Sequence, residues 1–204
     1  MTKVVNKNKE PFDCYIGRGS LFGNPFIIGK DGSRDEVISK YESWIFDKIN
    51  LDKNFKQEVL KLKNHTLGCF CRPENRCHGD IIQEYVDSYK ALAIIGSRSF
   101  NDYNFLLHAA NVLNVRENYS VIISGGARGA DELGEQYAKY WGLEYIEFLP
   151  DWENIGKSAG YKRNVDIIKC ADAVLAFWNG TSMGTRHSLN IAKEMKKPSF
   201  VFYF

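Results

Sequence analysis

Apolar runs alternate with amphipathic segments through the second half of the chain, from residue 91 onward. The short runs are typical of buried strands, and the segments between them have helical periodicity. This alternation predicts an α/β domain with a doubly wound, five-stranded parallel sheet in the order 3-2-1-4-5. The predicted strands are residues 91–95, 120–124, 144–149, 173–178 and 199–204, and the predicted helices are residues 101–115, 131–141, 160–169 and 184–195.

The first half of the chain has a less regular pattern, and it predicts a small α+β domain over residues 1–88 that precedes the sheet domain of residues 91–204. Its longest amphipathic segment places apolar side chains at helical spacing. The predicted elements are strands near residues 4–5, 14–16 and 66–71, helices over 37–49, 55–62 and 77–86, and loops at 17–26 and 72–76.

Composition narrows the class of protein. The chain has 204 residues, 44% of them hydrophobic, which is enough for a packed core. Its net charge is only +2, so nucleic acid is not expected as a partner. The N-terminus lacks the apolar core of a signal peptide, and no apolar run approaches the ~20 residues of a spanning helix, so no membrane partner is expected. Five cysteines, an odd number, favour a reducing cytoplasm.

Glycines, hydroxyls and cations follow the predicted strands at their carboxyl ends. Gly96, Ser97 and Arg98 follow the first strand, a glycine-rich turn over 125–131 follows the second, and residues 179–185 follow the fourth. Ligands bind open parallel sheets beyond these ends, where the strand order reverses. We therefore expect these loops to surround one cleft that is suited to an anion.

The glycine turn itself has two interpretations. It could cradle a phosphate at the start of the next helix, or it could be only a tight strand-to-helix connection. It matches neither the P-loop nor the G-x-G-x-x-G pattern. Two further residues also have two interpretations each. Lys157 either reaches a second phosphate or is solvated, and Trp178 either stacks on a base or packs at a strand end.

Cys69, Cys71, Cys77 and His78 form a cluster in the first half. A structural zinc site, a reactive Cys77 thiolate at a helix start and buried packing thiols are the alternatives. Adjacent residues such as Cys77 and His78 rarely both face one metal, so no metal is assigned and no cofactor is expected.

Residues 1–88 resemble a small uncharacterised domain family of bacteria and phages. The resemblance rests on the Gly-Asn-Pro-Phe sequence at 23–26, the helix from Arg34 to Trp44, and the Cys-His-Gly-Asp sequence at 77–80. It implies only that the Asn-Pro-Phe loop and the Cys-His-Gly-Asp turn line one pocket.

Residues 91–204 resemble the SLOG superfamily of Rossmann-like nucleotide-binding domains, whose relatives include lonely-guy phosphoribohydrolases and Smf/DprA proteins. The shared motifs are Ile-Gly-Ser-Arg at 95–98, Ser-Gly-Gly-Ala-Arg-Gly-Ala-Asp at 124–131, the Gly-Lys-x-Ala-Gly-x-x-Arg-Asn sequence at 156–164, and Phe-Trp-Asn-Gly-x-Ser-x-Gly-Thr at 177–185. The resemblance implies a nucleotide-derived ligand and a homodimer. With the strand-end loops, it gives the predicted ligand-binding residues: Gly96, Ser97, Arg98, Gly125, Gly126, Ala127, Arg128, Gly129, Asp131, Lys157, Arg163, Asn164, Trp178, Ser182, Gly184 and Thr185.

One departure from the hydrolase pattern bears on activity. Lonely-guy hydrolases carry a glutamate that aids cleavage of an N-glycosidic bond, and Ser188 occupies that position here. The first expectation is therefore a protein that holds a phosphate-bearing ligand such as an ADP-ribose-type or cyclic nucleotide signal, to sense or sequester it. The alternative is an N-glycosidic-bond hydrolase or transferase acting on a nucleoside monophosphate or NAD-like substrate. Its catalytic residue is unknown, with Asp131, Glu132, His78 and Cys77 as candidates.

Overall fold

The computed structural model describes residues 1–71 and 75–204, and the chain divides into two compact units, Met1–Ser88 and Tyr89–Phe204. The predicted loop over 72–76 lies partly outside the described residues. In the described part of the chain, each helix is too short or too polar to cross a bilayer.

The first unit has a small sheet in which β3 lies between β1 and β2, with both neighbours parallel to it. Its longest helix begins at a capping box: Ser33 Oγ accepts the Glu36 N–H, and the Glu36 carboxylate accepts the Ser33 N–H. The elements are β1 Lys3–Asn6, β2 Cys14–Tyr15, α1 Arg34–Leu51, α2 Lys53–Leu60, β3 Thr66–Cys69 and α3 His78–Asp87.

The second unit is a parallel sheet flanked by helices, as its apolar runs predict. Its three central strands are buried along most of their length, whereas the two edge strands are partly exposed. The elements are β4 Ala91–Gly96, α4 Tyr103–Val112, α5 Val115–Asn118, β5 Val121–Ser124, α6 Ala130–Trp141, β6 Glu144–Glu147, α7 Trp152–Ile155, α8 Ala159–Cys170, β7 Ala173–Trp178, α9 Met183–Glu194 and β8 Ser199–Tyr203.

The strands lie in the order β6-β5-β4-β7-β8, which confirms the predicted 3-2-1-4-5 arrangement. The reversal falls between β4 and β7, where Gly96 pairs with Phe177. A Cβ on Gly96 would lie 2.3 Å from the Phe177 carbonyl oxygen, so glycine lets the two strand ends approach closely. The next loop is anchored by Phe100, whose ring stacks on Phe177 at 4.3 Å. The predicted cleft therefore begins at a tightly packed strand pair.

Two helical predictions differ from the structure. The segment predicted as one helix over 101–115 is divided, because Asn114 adopts a left-handed conformation with φ 48° and separates α4 from α5. The short helix α7 is missing from the prediction; it begins where Asp151 Oδ1 accepts the Asn154 N–H. Neither difference moves the strand ends.

Candidate functional site

A cavity of about 440 Å³ lies at the carboxyl ends of β4 and β7. It is bordered by the loop after β4, the turn before α6, one face of α8 and the first turns of α9. Eleven predicted ligand-binding residues lie on its wall. The lining residues are Ile95, Gly96, Ser97, Arg98, Ser99, Ala127, Arg128, Asp131, Arg163, Asn164, Ile167, Asn179, Ser182, Gly184, Thr185 and Ser188.

Positive charge converges on this cavity. Arg98 and Arg128 are exposed side chains from two different loops, and Arg163 is half-buried on α8. The pKa of Arg163 is lowered by burial first, is raised by the facing Asp131 carboxylate, and is lowered again by the charge of Arg98. Like charges brought together in this way favour an anionic ligand between them.

The N-terminus of α9 forms the opposite wall. Ser182 caps the helix, with its Oγ accepting the Thr185 N–H at 3.4 Å and the Thr185 hydroxyl at 2.9 Å. Asn179 Oδ1 accepts the Ser182 N–H at 2.9 Å and so orders the loop before the helix. A Cβ on Gly184 would meet no atom within 4 Å, so the space over this residue is open. This backbone can be approached by a phosphate.

The glycine turn is arranged differently from an open phosphate cradle. Asp131 Oδ2 accepts the Gly125 N–H at 3.0 Å and the Ala127 N–H at 3.4 Å. Ser124 Oγ accepts the intervening Gly126 N–H at 3.3 Å. Three N–H groups of the turn are therefore already bonded to side chains of the same chain.

Asp131 is the buried acid of the site, with 7% of its surface exposed. Burial raises the pKa of this carboxyl to about 6, although Arg163 and the N–H groups of the turn act in the opposite direction. The N-cap position of α6 is Gly129, so Asp131 lies in the first turn of that helix. Its carboxylate accepts hydrogen bonds from the preceding turn.

Several predicted residues lie away from the cavity wall. Gly125 is buried behind Asp131, and Gly126 faces Glu147, whose Oε1 would lie 1.6 Å from an added Cβ. Gly129 and Glu132 line a neighbouring cavity together with Arg98.

Lys157 and Trp178 are also outside the cavity. Lys157 lies in an exposed single 3₁₀ turn. Trp178 is engaged elsewhere: its Nε1–H donates to the Ser182 carbonyl at 3.2 Å, and its ring lies 5.8 Å from that of Tyr203. Trp178 thus has the packing contacts of a strand end, one of its two open interpretations.

Five lining residues were missed by sequence reasoning as ligand contacts: Ile95, Ser99, Ile167, Asn179 and Ser188. Ser188 lies one turn after Gly184 on α9, and its Oγ donates to the Gly184 carbonyl at 3.2 Å. Asn179 lies directly after β7. Its position at the end of a strand next to the reversal of strand order could have identified it as a site residue.

The remaining catalytic candidates, Cys77 and His78, lie in the first unit, where His78 lines a smaller cavity of about 210 Å³. Asn24 and Phe26 line the same cavity, so the Asn-Pro-Phe loop and the Cys-His-Gly-Asp turn meet as the resemblance implied. The sulfur atoms of Cys69, Cys71 and Cys77 all lie within 4.8 Å of one another beside it.

Two family models match the chain. Residues 2–88 match a domain of unknown function, DUF4326. Residues 91–154 match the YspA, cpYpsA-related SLOG family. Together the two matches cover the first unit and the first part of the second.

Two phage proteins are similar to parts of the chain. The Gene 61 protein of Mycobacterium phage D29 is 35% identical over 122 residues, which is 55% of this chain and 96% of that protein. The uncharacterized 12.4 kDa protein in the nrdA-td intergenic region of Enterobacteria phage T4 is 39% identical over 88 residues, 43% of this chain and 79% of that protein.

Two solved structures have a similar fold. DNA processing protein A (DprA) from Helicobacter pylori is 24% identical with a TM-score of 0.46, and the match covers 58% of this chain and 67% of that one. DprA from Streptococcus pneumoniae is 21% identical with a TM-score of 0.46, and the match covers 56% and 50%.

These neighbours correct one expectation. The H. pylori structure is described by its unique single-stranded DNA binding mode, a finding that contradicts the expectation, drawn from net charge, that nucleic acid is not a partner. The net charge of +2 averages over the whole chain and hides the arginines that converge on one cavity.

Proposed function

Because residues 91–154 match the YspA, cpYpsA-related SLOG family, we propose that the second unit binds a nucleotide-derived ligand through a phosphate group. The observation that carries the proposal is the convergence of Arg98, Arg128 and Arg163 with the start of α9 around one cavity. An ADP-ribose-type molecule or a cyclic nucleotide has the charge and hydroxyls that such a wall would bind.

The arginines supply the strongest part of the interaction. Guanidinium groups bind phosphate oxygens in pairs of parallel hydrogen bonds, and Arg98 and Arg128 are exposed enough to turn toward a ligand. The N–H groups of the first turn of α9 would add a second, uncharged contact to the same phosphate.

The rest of the cavity suits the sugar and base. Its volume of about 440 Å³ is within the range of small-molecule sites. Ser99 and Asn179 offer polar groups near the rim, and the buried Ile167 offers an apolar surface.

The same geometry favours holding the ligand over cleaving it. Ser188, at the position of the hydrolase glutamate, directs its hydroxyl to the Gly184 carbonyl. The carboxylate of Asp131 is bonded to the turn through Oδ2. A protein of this kind would sense or sequester a signal.

Asp131 also supports the alternative function. A carboxyl with a pKa of about 6 in a cavity can exchange a proton near neutral pH, as hydrolysis of an N-glycosidic bond requires. Chromatography of recovered ligand separates the two functions. Free base that accumulates with time, and that is lost in Asp131→Asn, would assign the hydrolase.

Calorimetry with the full chain tests the binding proposal. The probes are inorganic phosphate, AMP, ADP-ribose, cyclic AMP and a short oligothymidylate, whose phosphates present the same chemistry to the arginines. We expect a nucleotide probe to bind, and Arg128→Gln to weaken it about tenfold, since a charged hydrogen bond contributes about 1.5–3 kcal/mol.

Lys139→Gln is the matched control, because it removes one positive charge from an exposed ion pair with Glu135 on α6. Its affinity should equal that of the unmodified protein. If no probe binds, or if both variants lose affinity equally, the cavity is not the site. Binding of the oligothymidylate alone, with a steep salt dependence, would identify a nucleic-acid site.

A further inference from the structure

Soft donor atoms converge in the first unit, whereas the proposed nucleotide cavity belongs to the second. Cys69 Sγ lies 3.8 Å from Cys71 Sγ, and Cys77 Sγ lies within 4.8 Å of both. His78 Nδ1 lies 3.9 Å from Cys69 Sγ and 3.7 Å from Cys77 Sγ. Cys69, Cys77 and His78 are buried, and Cys71 is half-buried.

Two of these separations match the edges of a zinc tetrahedron. With Zn–S bonds of about 2.3 Å, two sulfurs at the tetrahedral angle lie about 3.8 Å apart. With a Zn–N bond of about 2.05 Å, a nitrogen and a sulfur lie about 3.6 Å apart. The separations between Cys69 and Cys71, and between His78 and Cys77, fall close to these values.

The histidine is held in the form that binds metal. His78 Nε2 lies 2.7 Å from the Ile16 carbonyl oxygen, which only accepts, so this nitrogen carries the hydrogen. In a neutral imidazole the lone pair is then on Nδ1, the atom that faces the sulfurs. The Tyr41 ring meets the imidazole edge to face at 4.9 Å and keeps it in place. A carbonyl bonded to the second nitrogen is the usual support of a ligating histidine.

The helix start explains how two adjacent residues face one point. Cys77 is the N-cap of α3 and has an extended backbone with φ −127° and ψ 144°, while His78 is the first helical residue. The change of backbone direction between them brings both side chains to the same side. The Gly79 N–H also donates to Cys77 Sγ at 3.3 Å, a bond that stabilises a thiolate.

We propose that Cys69, Cys71, Cys77 and His78 bind one Zn²⁺ ion in a closed, structural site. Three thiolates and one imidazole complete a tetrahedron, the set that selects zinc and leaves no position for a substrate. The site would tie the end of β3 to the start of α3. The bound ion and three thiolates carry one net negative charge, and Arg34 and Arg76 line the cavity beside them.

Metal analysis of the full chain, purified without chelator, is the test. We expect about one zinc per chain, retained through gel filtration. Cobalt substituted for zinc should give the visible bands of a tetrahedral ion and a thiolate-to-cobalt charge-transfer band. Cys69→Ser and Cys77→Ser should lose both signals. Cys14→Ser is the matched control, because Cys14 packs against the same core but is not one of the clustered sulfurs, and it should retain them.

His78→Gln adds a readout that misfolding does not imitate. It should keep the charge-transfer band, change the visible bands of cobalt, and lower zinc affinity at least about tenfold. If a variant fails to fold, competition for zinc between the unmodified protein and a chromophoric chelator still tests the proposed site. The proposal is overturned if the reduced protein takes up no zinc, if cobalt shows no thiolate band, or if freshly purified protein contains a Cys69–Cys71 disulfide instead of metal.

Discussion

Asp131 and Arg163 bind the two polar groups of the same residue, Gly125. Asp131 Oδ2 accepts its N–H at 3.0 Å, and the Arg163 guanidinium donates to its carbonyl oxygen. The two side chains are opposite in charge and face each other across the turn. The glycine turn is therefore closed by the chain's own charges, and a ligand phosphate in the cavity would be left to the arginines and α9.

The buried carboxyl should give stability a distinctive pH dependence. The pKa of Asp131 is raised by burial from 3.8 to about 6, so its contribution to stability is fully present below pH 3.8 and is lost as pH rises through about 6. Asp131→Asn keeps an acceptor for the turn but does not titrate. Relative to Asp131→Asn, the unmodified protein should lose about 3 kcal/mol of unfolding free energy as the pH rises from 3 to 8.

Urea unfolding at several pH values measures this difference. Other carboxyl groups titrate in both proteins, so the subtraction isolates Asp131. A difference that does not change with pH would mean that burial does not raise the pKa of this group.

Arg163→Met should destabilise the second unit. It leaves the Gly125 carbonyl without its guanidinium donor and removes the positive charge that faces Asp131. We expect a loss of about 1–3 kcal/mol in urea unfolding. The double variant with Asp131→Asn should lose less than the sum of the single losses, because each residue faces the other. Arg186→Met, an exposed arginine 5.7 Å over the Trp178 ring, is the control and should lose less than about 1 kcal/mol. Strict additivity would show that the two residues are not coupled.

Gly184→Ala should separate ligand binding from folding. The added methyl meets no atom within 4 Å, and Gly184 lies in a helix, so melting temperature should be unchanged or slightly higher. The methyl would occupy the approach of an anion to the start of α9, and nucleotide affinity should fall at least about tenfold. Calorimetry checks the affinity.

Gly160→Ala is the matched helical control, since its methyl would lie at an ordinary contact distance of 3.4 Å from Trp152 and outside the cavity wall. Equal affinity in Gly184→Ala and the unmodified protein would move the phosphate away from α9.

Gly129→Ala should be far more damaging than Gly142→Ala, although both glycines have positive φ, 93° and 67°. A methyl at Gly129 would lie 2.6 Å from the Ser97 carbonyl oxygen, whereas one at Gly142 meets nothing within 4 Å. We expect a loss of about 3 kcal/mol or more at Gly129 and about 1 kcal/mol at Gly142. Thermal unfolding of both variants measures the contrast. Equal losses would show that backbone conformation alone requires glycine at 129.

The sheet and the position of the cavity follow from local pattern. Apolar runs such as 91–95 and 173–178 mark buried strands wherever they lie, and the reversal of strand order fixes which loops meet. Arg98, Arg128 and Thr185 could be placed together on that basis alone. The net charge of +2 does not show this convergence, because it is a sum over the chain and carries no information about position.

Contacts that depend on the local direction of the backbone could not be predicted from the sequence pattern. The sequence places Asp131 at a helix start, and only the coordinates show its carboxylate directed back to Gly125. The adjacency of Cys77 and His78 argued against both facing one metal. That argument assumes a regular backbone, and the backbone changes conformation at Cys77, the N-cap of α3. Both cases depend on one or two dihedral angles that neighbouring residues do not determine.

The internal bonding of the glycine turn also has a kinetic consequence. Asp131 and Arg163 keep the turn in shape before any ligand arrives, and the register of β4 with β7 does the same for the loops after those strands. Association should then be governed by diffusion and charge attraction, without a slow ordering step. Differences in affinity among related ligands would appear as differences in how long each one stays.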